Sequence, residues 1–381
     1  MLIGRLLLAI VVASGVVLSA PFIRDIRNFI KTNYPGQYVK VVAAAIAIII
    51  GGAVVVALVR IRDRRGFRYA LIAAALALGT SYAMWNAQGL AEIDTVERFH
   101  FVEYGLVSLL FYRAFRPAAD LSLIVLPILA GLIVGTFEEW LQWFIPGRVG
   151  DMRDVFLNLA AIVCGLLFSI GVDPAERLSW SLRRSSRRRV AAVGAVAVMV
   201  FAAFLHTVHL GGEINDPEVG RFRSRYDSAS LLALARDRGD RWRTAPPLKT
   251  PPSLSREDQY LSEGLLHVTE RNNRWRVADY TASWFENRII EKYYGPLLTI
   301  WNGELHWPDG QRNDGEQRYR AAGSPPASSY VSTADVAEGK HFIRLWPKLG
   351  VWVSATLIAV ILALALGALR PSGEDGVINR S

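Results

Sequence analysis

Apolar stretches close to the length that crosses a hydrocarbon core recur along most of this chain. A bilayer takes about 20 mostly apolar residues per helix, and such runs lie at residues 2–20, 41–59, 69–87, 121–144, 155–172, 190–210 and 349–369. An eighth run, 96–115, has Glu97, Arg98, His100 and Glu103 crowded at its start. Polar residues are tolerated at the end of a span, and inside one they point to function. The pattern predicts an all-α fold: a polytopic membrane bundle of about eight transmembrane helices, with a small α-rich extracytoplasmic domain between the seventh and eighth. Only 20% of residues are charged and mean hydropathy is positive, +0.24. Soluble domains carry about 25% charge, so an ordinary cytosolic enzyme is disfavoured.

The formal net charge is +9, which fits nucleic acid, anionic lipid or membrane topology, and the placement of the charges decides. Arg60, Arg62, Arg64, Arg65 and Arg68 lie between the second and third spans, and Arg177, Arg183, Arg184, Arg187, Arg188 and Arg189 between the sixth and seventh. Loops rich in Lys and Arg stay in the cytoplasm. With eight spans both loops fall on one side, together with Arg113, Arg116 and both termini; without the fourth span they would fall on opposite sides. Arg24, Arg27, Lys31 and Lys40 run against this orientation. The basic excess is therefore read as an orientation signal, and no nucleic-acid partner is expected. The first span reads as an uncleaved anchor, because Leu18 and Pro21 suit a cleavage site poorly. Cys164 is the single cysteine, which excludes an intrachain disulfide and a Cys-based zinc site. No cofactor and no metal are expected.

The expected organisation is 1–90, transmembrane helices 1–3; 91–172, a core of helices 4–6; 173–210, an Arg-rich cytoplasmic loop and helix 7; 211–347, the extracytoplasmic domain; 348–370, the last span; and 371–381, a cytoplasmic tail. Within the extracytoplasmic part, helices are predicted at 221–238, 256–272 and 277–294, followed by a region punctuated by Gly, Asn and Pro up to residue 329. Its aromatics, Trp242, Trp275, Trp284, Tyr293, Tyr294, Trp301 and Trp307, read as the core of a small domain rather than a sugar-stacking or lipid-facing platform. Glu263 and His267, four apart on a helical pattern, read as a solvated pair. His206 and His209 read as interfacial residues where the seventh span emerges.

The informative region is 97–165. On a helix Glu97, His100 and Tyr104 share a face. Glu138 and Gln142 share another with Glu139 beside them, and Asp151, Asp154 and Asn158 share a third. All three sets are expected at the outer leaflet. Carboxylates near hydrocarbon must pair or become neutral, with Arg98, Arg148 and Arg153 as counter-ions. A carboxylate beside a histidine suits acid/base chemistry, so the cluster reads either as a site for a lipid-linked substrate or as an inter-helix clamp. Gly131 with Gly135, and Gly165 with Gly171, provide small surfaces for helix contacts.

These residues resemble the VanZ-like family of membrane proteins, named for a member associated with teicoplanin resistance. The first motif reads Glu97-Arg98-Phe99-His100, then Tyr104; the second reads Glu138-Glu139-Trp140-Leu141-Gln142, Phe144, Pro146-Gly147-Arg148, Asp154, Asn158 and Gly165. The resemblance covers about residues 94–171. Glu97 and Glu138 replace Asp and Arg98 replaces Lys, all preserving charge, while Ala161 stands where a Gly is expected and predicts a looser approach of the sixth helix. The resemblance implies a bacterial cytoplasmic membrane protein of the cell envelope and no defined reaction. Glu139 and His100 are the acid/base candidates; Arg98 and Arg148 would hold an anionic head group, with Glu97, Tyr104, Glu138, Gln142, Asp154 and Asn158 completing the site. The expected partner is a membrane lipid or lipid-linked envelope precursor. One alternative is a scaffold whose residues 211–347 recruit an envelope protein. A transporter is weaker, because polar groups toward the cytoplasm are few.

Overall fold

The computed structural model describes residues 2–368 except 88, 146–149, 248, 251–253, 256–258, 335, 338–339 and 342. The chain is nearly all helical, as the apolar runs require. Its first helices are α1 (Leu2–Asn33), α2 (Tyr38–Arg60), α3 (Arg65–Trp85), α4 (Ala91–Phe115), α5 (Ser122–Trp143), α6 (Met152–Val172) and α7 (Arg184–Phe204). Shorter helices follow, α8 (Ser228–Thr244), α9 (Gln259–Arg276), α10 (Tyr280–Tyr293) and α11 (Asp309–Ala321), before the apolar α12 (Lys348–Ala368). Among the described residues, seven segments are long and apolar enough to cross a membrane: Ile3–Ile23, Tyr38–Arg60, Arg65–Trp85, Ser122–Trp143, Met152–Val172, Arg184–His209 and Lys348–Gly367. The expected eighth span is α4. Its 25 residues reach about 37 Å at the α-helical rise, long enough to span, but its first half is too polar to qualify by composition.

Two compact units divide the chain: Met1–Glu139 with Met152–Ala202 and Trp352–Ser381, and Trp140–Asp151 with Ala203–Val351. In the first, α4 packs against α6, α1 and α2, and α3 packs on α6. The α4 to α6 approach is close despite Ala161, which is itself fully buried. It depends on Gly165, since a Cβ placed there would lie 2.7 Å from the Cα of Gly105. Gly131 on α5 likewise makes room for the Ile162 side chain, 2.5 Å from where a Cβ would sit.

The arginine loops also have structural work. Arg68 is buried and its Nε donates to the carbonyl of Gly171 at 2.8 Å, with a second guanidinium nitrogen on Val172. It thereby takes up two of the carbonyls left over at the C-terminus of α6, the end of a helix that favours a cation. Tyr112 adds a hydroxyl donor to the Asp173 carbonyl at 2.7 Å.

The second unit departs from expectation at two places. Residues 221–238 are not one helix: β1 (Gly212–Asp216) and β2 (Gly220–Ser224) form an antiparallel hairpin pairing Ile214 with Phe222, and α8 starts only at Ser228. Phe222 and Ser224 are buried while Arg221 is exposed, the period-two alternation of a strand. Asp216 closes the turn by accepting from the amides of Glu218 (2.8 Å) and Val219 (3.2 Å). Asp227 then caps α8, accepting from the Ser230 amide at 2.7 Å. The second departure is α11, inside the region expected to be irregular. Its polar sequence is held by the i,i+4 pairs Arg318 with Asp314 and Arg320 with Glu316, and Gly315 lets the Trp307 ring lie against it.

The core of this unit joins Phe222, Leu231, Trp242, Tyr260, Leu261, Ile289, Ile290, Tyr293, Tyr294 and Leu297. Full burial contributes about 1.5–3 kcal/mol for each large apolar side chain. Trp284 and Trp307 are also buried, and Trp275 and Trp301 partly so. The aromatics are therefore core, and no exposed stacking platform is formed by them.

Candidate functional site

The polar cluster is built in the first unit by α3, α4, α5 and α6. Helical spacing puts Glu97, His100 and Tyr104 on one face of α4. Glu97 accepts from Arg153 Nη2 at 2.6 Å and from Asn86 Nδ2 at 3.1 Å, while Arg153 Nε donates to Asn86 Oδ1 at 3.2 Å. The triangle ties the end of α3, the first turns of α4 and the first turn of α6 together. Hydrogen bonds to charged groups contribute about 1.5–3 kcal/mol each, and both Glu97 carboxylate oxygens are engaged in them.

About two turns further along α4, the Tyr104 hydroxyl donates to the Glu138 carboxylate of α5, and both residues are buried. His100 lies between these groups, with Nδ1 3.5 Å from Glu103 Oε2 and its ring centroid 6.2 Å from that of Tyr104. Asn158 of α6 faces Gly135 of α5. A Cβ on Gly135 would lie 3.1 Å from Asn158 Cβ and 3.5 Å from the Tyr104 hydroxyl oxygen. Asn158 is 1% exposed, and both its Oδ1 and its Nδ2 lack a hydrogen-bond partner among the described residues. Glu139, next to Glu138, is fully buried.

The expected residues are thus distributed unevenly. Glu97, His100, Tyr104, Glu138 and Asn158 come together by contact or near contact, and Asp154 is half-buried at the start of α6. Arg98 is exposed, and Arg153 rather than Arg98 is the counter-ion of Glu97. Gln142 is buried but belongs, with the rest of Trp140–Asp151, to the second unit. Arg148 lies outside the described residues. Asn86 and Glu103 are not among the expected site residues: Asn86 is a single polar residue capping the end of α3, and Glu103, midway along α4, reads from sequence only as one of the polar residues crowding that run. Among the described residues there is no group of three or more His, Cys, Asp or Glu able to hold a metal ion.

Chemically the cluster offers a phenol on a carboxylate, an imidazole beside a carboxylate and a free primary amide. Those groups suit recognition of hydroxyl or phosphate oxygens, the amide serving as both donor and acceptor.

The second unit holds a further buried polar network. Glu263 and His267 are not solvated; both are almost completely buried, which corrects the reading of them as a surface pair. Glu263 lies 3.2 Å from Arg225 Nη1, and His267 Nδ1 lies 2.7 Å from Glu286 Oε2. Glu286 also accepts from Tyr330 and Ser332, each at 2.5 Å. Burial pushes the Glu263 carboxyl up, opposed by the Arg225 guanidinium, and the same burial pushes Arg225 down. Arg225 donates to the Val208 carbonyl at 2.7 Å and stacks 4.0 Å above the ring of Trp143, whose indole N–H donates to Gln259. The residue following Gln142 in the second motif is thereby packed into this unit. His209 is buried edge-on to Phe204, in a π-helical turn that ends the seventh apolar segment.

The VanZ/LLP1 family model matches residues 49–172 of the chain. The match starts within α2 and runs to the end of α6, so it reaches well N-terminal of the two motifs. No curated protein and no solved structure matches the chain.

Proposed function

We propose, for a membrane protein that carries a VanZ-type domain over residues 49–172, that the cluster on α4, α5 and α6 binds the head group of an envelope lipid or lipid-linked glycan. It would do so at the outer face of a bacterial cytoplasmic membrane. Asn158 carries the reading. A buried amide left without partners costs about 1–3 kcal/mol per group, and Asn158 keeps both of its polar atoms unpaired beside the Tyr104 and Glu138 pair. A hydroxyl or phosphate oxygen accepting from Nδ2, with a hydroxyl donating to Oδ1, would remove that penalty. Glu139 and His100 are the acid/base candidates for turnover of the bound group, and Arg98 and Arg148 supply positive charge for an anionic head group. Asp154, at the start of α6, orients its neighbours.

The test is mass spectrometry of lipids that copurify with correctly inserted protein. Asn158→Leu and Glu139→Gln are expected to lose one head-group class that the wild type retains, and Arg148→Ala to lose it only if it is anionic. Identical lipid profiles for all three variants and the wild type would sink the reading.

The engaged triangle of Glu97, Arg153 and Asn86 favours a second role for part of the cluster, as a clamp between helices. On that reading Glu97→Gln lowers the unfolding temperature in detergent and leaves the lipid profile unchanged. Loss of the lipid without loss of stability in this variant would count against the clamp.

A further inference from the structure

The loop before α7 and its first turn carry Arg177, Arg183, Arg184, Arg187, Arg188 and Arg189. Most of these side chains are exposed and are hydrated wherever they point. Arg187 differs: it is only 5% exposed, and its Nε and Nη1 are shielded from water without a hydrogen-bond partner. Among the described residues none forms an ion pair with it. Asp120 is the buried acid nearest this turn, but Oδ1 accepts from the Ser122 amide and hydroxyl and Oδ2 from the Arg183 amide at 3.1 Å. Asp173 is paired with Arg116 at 2.9 Å. The same Asp120 segment fixes the loop, since Ala119 accepts from the Ser179 amide at 3.0 Å. The site is thus a held turn in which two buried donors have no acceptor among the described residues.

We infer that the first turn of α7 and its preceding loop bind the phosphate of an anionic phospholipid, with the Arg187 guanidinium gripping it. A guanidinium presents two parallel N–H groups that match two phosphate oxygens. The N-terminal end of a helix adds partial positive charge, and α7 has no acid in its first turn. The flanking arginines draw anionic lipid toward the surface. The lipid source is favoured over free phosphate by two features. An apolar segment long enough to cross a membrane, Arg184–His209, begins at this turn. Trp180, 75% exposed on the same loop, is the side chain that settles at a membrane–water interface.

A diffuse field would spread the effect evenly over the exposed arginines, whereas a built site concentrates it on Arg187. The full chain is purified in detergent and its bound lipid read by native mass spectrometry during titration with phosphatidylglycerol or phosphatidylcholine. The wild type retains phosphatidylglycerol, and Arg187→Gln lowers its apparent affinity about tenfold, as expected for one lost charged contact. Arg187→Lys, which keeps the charge without the fork, falls between them, and Arg188→Ala changes little. Equal losses in Arg187→Gln and Arg188→Ala, or full retention in Arg187→Gln, overturn the site. Displacement by inorganic phosphate at constant ionic strength overturns the lipid assignment in favour of a free anion. Trp180→Ala, at an exposed position that does not threaten folding, is expected to weaken phosphatidylglycerol retention, and unchanged retention overturns the membrane anchor.

Discussion

Replacing Gly165 by alanine should strike the bundle where α4 and α6 come closest. The added methyl would lie 2.7 Å from the Cα of Gly105 and 3.0 Å from both the Gly105 carbonyl oxygen and the Ser108 Cβ. Carbon atoms rest at about 3.5–4.0 Å, so α6 must retreat by roughly 0.8 Å or more, and the obstacle is backbone that no rotamer change removes. Overpacking of this kind costs about 1–3 kcal/mol, while alanine gains about 1 kcal/mol over glycine within a helix. The net expectation is a loss of up to about 2 kcal/mol. Gly51 on α2 supplies the internal control, because a Cβ there meets nothing within 4 Å and the helix gain stands alone. Reversible unfolding in mixed detergent micelles, followed by tryptophan fluorescence, should separate Gly165→Ala from Gly51→Ala by about 1–3 kcal/mol, the overpacking cost alone. Because α4 carries Glu97 and α6 carries Arg153, the retreat should also loosen that pair and raise the salt sensitivity of stability. Equal stability of the two variants would refute the close-packing argument.

Other perturbations test separate parts of the molecule. Tyr104→Phe removes the donor to Glu138 and should cost about 1–3 kcal/mol in the same assay; no loss would show that the hydroxyl bond contributes nothing net. Arg225→Met leaves Glu263 buried without its cation and should cost about 3–5 kcal/mol, most of which the added Glu263→Leu restores; an additive second loss would contradict the pairing. Burial alone would raise Asp216, but bonds from Lys292, Tyr293 and the Glu218 amide hold its carboxyl below the usual range. A depressed acid contributes stability above its unfolded value of about 3.9 and loses it as pH falls through the folded value. Asp216→Asn should therefore flatten the acid limb of the stability profile of the second unit, measured as unfolding against pH in the full chain.

The apolar runs announced the bundle because hydrocarbon thickness imposes a length that few other folds need. The motifs at Glu97–Tyr104 and Glu138–Asn158 announced which helix faces meet, since residues three and four apart share a face. What stayed hidden depended on tertiary partners. Arg221–Ser224 looked helical beside the following apolar residues, and the Asp216 turn and the Asp227 cap that separate strand from helix are single-residue signals. The α11 segment lacks an apolar stripe and is stabilised by its own ion pairs and by Trp307. Glu263 and His267 have the spacing of a surface pair, and their burial is met by partners outside their helix, Arg225 and Glu286 among them. Of the three arginines expected as counter-ions, it is the tertiary packing of α4 on α6 that selects Arg153 for Glu97.

The stacking of Arg225 on Trp143 orders events during synthesis. Every helix matched by the VanZ/LLP1 model is complete by residue 172, yet the indole at the end of α5 waits for a guanidinium and an amide, Arg225 and Gln259, that leave the ribosome later. Until then Trp143 has neither its cation nor its acceptor. A nascent chain stopped before residue 225 would own every residue of the matched domain and still lack these two partners of the ring, so the second motif is finished last, by sequence that lies outside it.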